Sequence, residues 1–102
     1  MSILHTVNKS PFEKNSLDEC LSHSVEGSSI LLIEDGVYAA MQGTKVESDV
    51  KAAVASKKVY ALSADVKLRG LATERMIEGI ELVDYAGFVD LTESNEKVQA
   101  WL

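Results

Sequence analysis

Two places in this chain carry residues that could do chemistry: a lone cysteine, Cys20, with His23 three residues on, and the adjacent carboxylates Glu34 and Asp35, which run into Gly36. A cysteine becomes a nucleophile or a sulfur acceptor when positive charge or a helix N-terminus favours its thiolate, and His23 is the candidate proton partner. Asp18 and Glu19 disfavour a second negative charge beside it, and Leu17 and Leu21 are apolar neighbours. The residues therefore favour a packed structural thiol and leave the nucleophile open. Glu34 and Asp35 could do acid–base work, but sequence neighbours rarely converge on one substrate atom. A solvated loop or a partner contact is the expected use of Glu34-Asp35-Gly36.

Other chemistries fail on residue type. One cysteine excludes an internal disulfide and a Cys-x-x-Cys motif, and with only His5 and His23 beside it no metal cluster is expected. The loop after the first apolar run, Asn8-Lys9-Ser10-Pro11-Phe12, has no glycine to cradle a phosphate, and Pro11 offers no backbone donor. The Glu34-Asp35 loop would repel a phosphate, so no cofactor is expected. There is no Gly-x-Ser-x-Gly elbow.

The elements that must position these residues follow from periodicity. Ile30-Leu31-Leu32-Ile33 is an aliphatic run without polar alternation, the pattern of a parallel strand buried on both faces, and Glu34, Asp35 and Gly36 fall at its carboxyl end. In open α/β sheets that edge is where ligands and partners are met. Ile3–Val7 reads as a first strand, with His5 inside it, where a lone histidine is more often a hydrogen-bonded structural residue than a ligand. Ser16-Leu17-Asp18-Glu19 fits a capping box that opens a helix to Val25, with Leu17, Cys20 and Leu21 on one face and Ser24 at its margin.

A helical turn is expected over Val37–Met41. A second capping-box match, Thr44 with Glu47, opens a helix to about Ser56 whose outer face carries Lys45, Glu47, Asp49 and Lys51. Lys58–Leu62 is a third strand, and Ser63 with Asp65 caps a short helix that stops at Gly70. Lys67 and Arg69 there are surface charges or face an acidic partner. A linker, Leu71 to Gly79, leads to a fourth strand, Ile80–Val83, and Tyr85, Phe88, Val89 and Leu91 then fall at helical spacing. The tail ends in Ala100-Trp101-Leu102, which either packs back on the sheet or meets another subunit.

The order β-α-β-α-β-α-β-α predicts a single α/β domain over residues 1–102: a three-layer α/β/α sandwich around a mostly parallel sheet of four or five short strands. With 102 residues, 46% of them hydrophobic, the chain can bury one modest core. Its formal charge of -6 argues against direct contact with nucleic acid or an anionic membrane. No segment is long and apolar enough to span a bilayer and the N-terminus does not read as a signal peptide, so the expected location is the cytoplasm.

The segments Leu4–Phe12, Leu32–Val37, Tyr60-Ala61-Leu62, Asp65 with Arg69-Gly70, Val83–Thr92 and Gln99-Ala100-Trp101 resemble, in order and spacing, the DsrH/TusB family. The match runs from end to end, and the cysteine-bearing first helix looks closer to DsrH than to TusB. The resemblance implies a flavodoxin-like fold and the small subunit of a heterohexamer with two copies each of DsrE-, DsrF- and DsrH-type chains. It implies a relay of persulfide sulfur between proteins toward a DsrC/TusE-like acceptor, as a sulfurtransferase subunit in dissimilatory sulfur oxidation. The TusBCD type of the same family implies instead 2-thiolation of the tRNA wobble uridine.

In that family the principal sulfur-carrying cysteine sits on the DsrE/TusD-type subunit. Cys20 corresponds to the DsrH-type cysteine, which TusB-type chains can lack, so a persulfide carrier and a structural thiol in a scaffold subunit both remain open. Glu34, Asp35, Gly36, Tyr85, Phe88 and Trp101 are the candidate partner contacts.

Overall fold

The computed structural model describes residues 2–102. Five strands, β1 (Ile3–Val7), β2 (Ser29–Leu32), β3 (Lys58–Leu62), β4 (Glu81–Val83) and β5 (Lys97–Trp101), form one sheet in the order β4-β3-β2-β1-β5. Every pairing is parallel, with His5 opposite Ile30 on one side and Gln99 on the other. Four helices connect the strands: α1 (Ser16–His23), α2 (Glu47–Ser56), α3 (Ser63–Leu68) and α4 (Tyr85–Ser94). A 3-10 helix over Glu34–Ala40 follows β2 and a shorter one spans Thr73–Arg75.

The α/β reading thus holds, with five strands and an all-parallel sheet. Steps from β1 to β4 all move in one direction, so right-handed crossovers place α1, the Glu34–Ala40 segment, α2 and α3 on the same face. Their inward residues join one core: Leu17 and Cys20 of α1, Val37, Ala39 and Ala40, Val50 and Ala53 of α2, and Val66 of α3, packed on Val7, Ile30, Leu32, Val59 and Ala61. The last connection returns across the sheet, which puts α4 on the opposite face. There the alternate residues Leu4, Leu31 and Leu62 are buried, although α4 itself has no buried residue.

Of the two alternatives for the tail, the structure has the first: it packs back on the sheet as an edge strand, β5, paired with β1. Several local expectations are corrected. The first helix stops at His23, two residues short of Val25, and the last strand before α4 begins at Glu81 instead of Ile80. Ser16 does not cap α1: its hydroxyl donates to the Leu102 carbonyl at 3.1 Å, so the chain end takes the group that a capping box needs.

The second capping box is displaced by one residue. Glu47 Oε1 accepts from Gly43 N at 2.7 Å and Thr44 Oγ1 from Val46 N at 3.3 Å, and the helix begins only at Glu47. The backbone bond from Gly43 and the ion pair with Lys51 hold the Glu47 carboxyl below its ordinary pKa. The stretch Leu71 to Gly79 is more than a linker, because Ile77 is buried and Met76 bridges to Met41. Asp84 does cap α4, its Oδ1 accepting from Gly87 N at 2.8 Å.

Candidate functional site

Cys20 lies on the inward stripe of α1, one turn from Leu17, and is fully buried among the apolar side chains of the first face. Desolvation penalises the thiolate and pushes its pKa up to about 12, against a smaller opposing pull from Lys57. The site that a sulfur acceptor needs, open and electropositive, is therefore not formed around Cys20 in this conformation of the chain.

His23 is exposed, and its ring is held to its own helix. Its Nδ1 sits 2.8 Å from the Glu19 carbonyl, which can only accept, so Nδ1 carries the proton. His5 has the opposite arrangement. Buried in β1, its Nδ1 lies 3.1 Å from Trp101 Nε1, an obligatory donor, so Nδ1 must be bare. Both imidazoles flank the same indole, with ring centroids 6.2 Å from Trp101 for His5 and 5.7 Å for His23. Trp101, expected as a partner contact, is thus half-buried within its own chain.

At the carboxyl edge of β2 the acidic loop is fixed by α3. Glu34 adopts a left-handed conformation with φ 48, a strained choice for a residue with a Cβ, and its backbone N–H donates to Asp65 Oδ2 at 2.7 Å. Asp65 was expected to cap its own helix; this bond across to the loop, together with its contact to Arg69, is what its carboxylate makes instead. Asp35 accepts from Arg69 through both Nε, at 3.0 Å, and Nη2, at 2.9 Å. Arg69 therefore faces an acidic partner inside the chain.

Gly36 is required for close approach. A Cβ there would collide with the Val7 carbonyl oxygen, so the end of β1 and the loop after β2 touch backbone to backbone. The loop presents the Glu34 carboxylate outward, and the Asp35 side chain is exposed beside it although paired with Arg69. The Asp65–Arg69 clamp was missed in the sequence, although the four-residue spacing of an acid and a base on one helix is a readable signal.

Tyr85 and Val89 of α4 are 63% and 53% exposed, Phe88 is half-buried, and Val98 on β5 is 50% exposed. The pleat places Val98 beside Leu4, on the α4 side of the sheet. These are large apolar side chains on the thinly covered face. No group of three or more metal-ligating side chains occurs among the described residues, and no described helix is long and apolar enough to cross a membrane.

Comparison with known proteins agrees with this architecture. The family described as DsrH like protein matches residues 9–98. Protein TusB of Escherichia coli strain K12 is 39% identical over 101 residues, covering 97% of this chain and 100% of the relative. Protein TusB of Pectobacterium parmentieri is 34% identical over 99 residues, with the same coverage. Among solved structures, the ychN protein from E. coli superposes with a TM-score of 0.86 at 22% identity, over 98% of each chain. A protein of unknown function from Methanobacterium thermoautotrophicum gives 0.76 at 15% identity, over 96% of each. At those identities the two structures speak for the fold alone. The sequence matches extend over nearly the whole chain, and on them the chain belongs to the DsrH-like protein family.

Proposed function

We propose that this chain is a TusB/DsrH-type subunit of a cytoplasmic sulfur relay, and that its part is to present surfaces to sulfur-carrying partners without holding sulfur itself. The observation that carries this reading is the state of Cys20, enclosed in the core with a thiol pKa of about 12. A persulfide relay passes sulfur between thiolates, and a buried thiol whose ionisation is suppressed is a poor acceptor. The partners in this reading are DsrE-like and DsrF-like chains, two copies of each chain in a heterohexamer, with a DsrC/TusE-like acceptor downstream.

The setting best supported is 2-thiolation of the tRNA wobble uridine, because relatives at 34% and 39% identity carry the name TusB. A charge of -6 fits a subunit that leaves RNA to others. Dissimilatory sulfur oxidation is the second reading, supported by the DsrH-type cysteine on the first helix. Candidate contacts are the Glu34 carboxylate at the carboxyl edge of the sheet and the Tyr85/Phe88 side of α4. Asp35 and Gly36 hold the loop in shape, and Trp101 is engaged within the chain.

The test is intact-mass spectrometry of the native complex after exposure to a persulfide donor, reading each subunit for a sulfur increment. The expected result is an increment on a partner chain only, with transfer unchanged in Cys20→Ser. An increment on this chain that disappears in Cys20→Ser would make Cys20 a carrier and would overturn the scaffold reading.

A further inference from the structure

The indole of Trp101 joins the last strand to the first through a bond that only a neutral His5 can accept. His5 is central in β1 and buried, and Trp101 ends β5, an edge strand otherwise exposed along its length. Besides the parallel ladder to β1, the described contacts that hold this end are the Trp101–His5 bond, the packing of the indole against His23 and the core, and the Ser16–Leu102 bond. We propose that His5 and Trp101 form a proton-sensitive latch: a proton on His5 Nδ1 turns acceptor into donor, breaks the bond to the indole and frees the end of β5 from the sheet.

Among the described residues, the charged group that acts on His5 is a cation. Lys57, ahead of β3, repels a proton on His5; the His23 imidazole of α1 meets the far partner of the bond, Trp101; β2 presents Ile30 at that register and β5 presents the neutral Gln99. Burial and Lys57 accordingly hold the His5 pKa below its ordinary value of 6.5. The unfolded or unlatched chain takes the proton first. The latch is therefore fully engaged above about pH 6.5 and is lost as pH falls from there toward the lower folded value.

Trp101 is the only tryptophan, so its fluorescence reports the latch directly. The experiment follows hydrogen exchange of the β5 amides against those of β2 in the full chain, corrected for intrinsic rates, from pH 7.5 to pH 5, alongside that fluorescence. The β5 amides should lose about tenfold in protection relative to β2, in step with a fluorescence transition and with the His5 imidazole titration seen by NMR. Trp101→Phe keeps an aromatic ring but removes the donor; it should abolish the pH step and raise the His5 pKa. His23→Gln should leave the step in place. Equal protection changes in β5 and β2, or a step that persists in Trp101→Phe, would overturn the latch. Both readouts are available in the unaltered chain, so the proposal stays testable if a variant does not fold.

Discussion

The two faces of the sheet are built to different depths. One is sealed by α1, the Glu34–Ala40 segment, α2 and α3, which send inward side chains from Leu17 to Val66 into a single core. The other lies under α4 alone, a helix with no buried residue whose Tyr85 and Val89 point their apolar groups at solvent. A face that buries Leu4 and Leu31 yet leaves large apolar groups on its cover is stable as a domain and still has apolar area to bury against something else. The protein keeps its stability on the sealed face and its free apolar surface on the other.

The largest effect should come from the sealed face. Gly36→Ala drives a Cβ into the Val7 carbonyl oxygen, a backbone atom that cannot rotate away, and should cost about 4 kcal/mol or more in urea unfolding. Leu32 and Leu31 are sequence neighbours on opposite faces, which makes them a matched pair. Leu32→Ala should cost about 3–4 kcal/mol, because four packed elements cannot close the cavity, and Leu31→Ala about 2–3 kcal/mol, because α4 can settle into it. Equal costs would mean that the two faces are packed alike.

Asp84→Ala removes the one side-chain cap that holds α4 and should cost about 1 kcal/mol, with faster hydrogen exchange in α4 than in α2. Smallest in the isolated chain is the effect on the exposed groups themselves. Tyr85→Ser and Val89→Ser should change stability by less than about 0.5 kcal/mol, while weakening co-purification with the proposed DsrE-like and DsrF-like partners. Unchanged assembly in both variants would move the partner surface elsewhere.

Much of this fold was legible because local chemistry and burial point the same way. Ile30 to Leu32, aliphatic and unalternating, is the central strand with both faces covered. Leu17 and Cys20 form the inward stripe of α1, and the strand at Lys58–Leu62 lies where its composition put it. The errors concentrate where a polar group has two possible partners. Ser16 and Glu19 have the spacing of a capping box, but the Ser16 hydroxyl goes to Leu102, a residue 86 positions away. Asp65 is well placed to cap its own helix and instead takes the backbone of Glu34. Hydrogen-bond spacing states what is possible locally, and competition from distant groups decides which bond forms.

For the candidate site the division is similar. The type of Cys20, its helix and its apolar neighbours could be read directly, and they already favoured a packed thiol. That it is wholly enclosed, with Lys57 close enough to oppose part of the desolvation, required the packing of α1 on the sheet. The tail shows the limit most clearly. Ala100-Trp101-Leu102 was seen to need cover, but periodicity cannot distinguish a strand that returns to its own sheet from one that joins another subunit.

The sequence by itself determined the α/β class, the central strand, the inward stripe of α1 and family membership, because these depend on residue order and local period. Tertiary structure alone decided that β5 pairs with β1, that the indole meets His5 across 96 positions, and that one sheet face is sealed while the other is thinly covered. Those outcomes depend on which surfaces the crossovers bring together, a property of chain path that no local pattern carries.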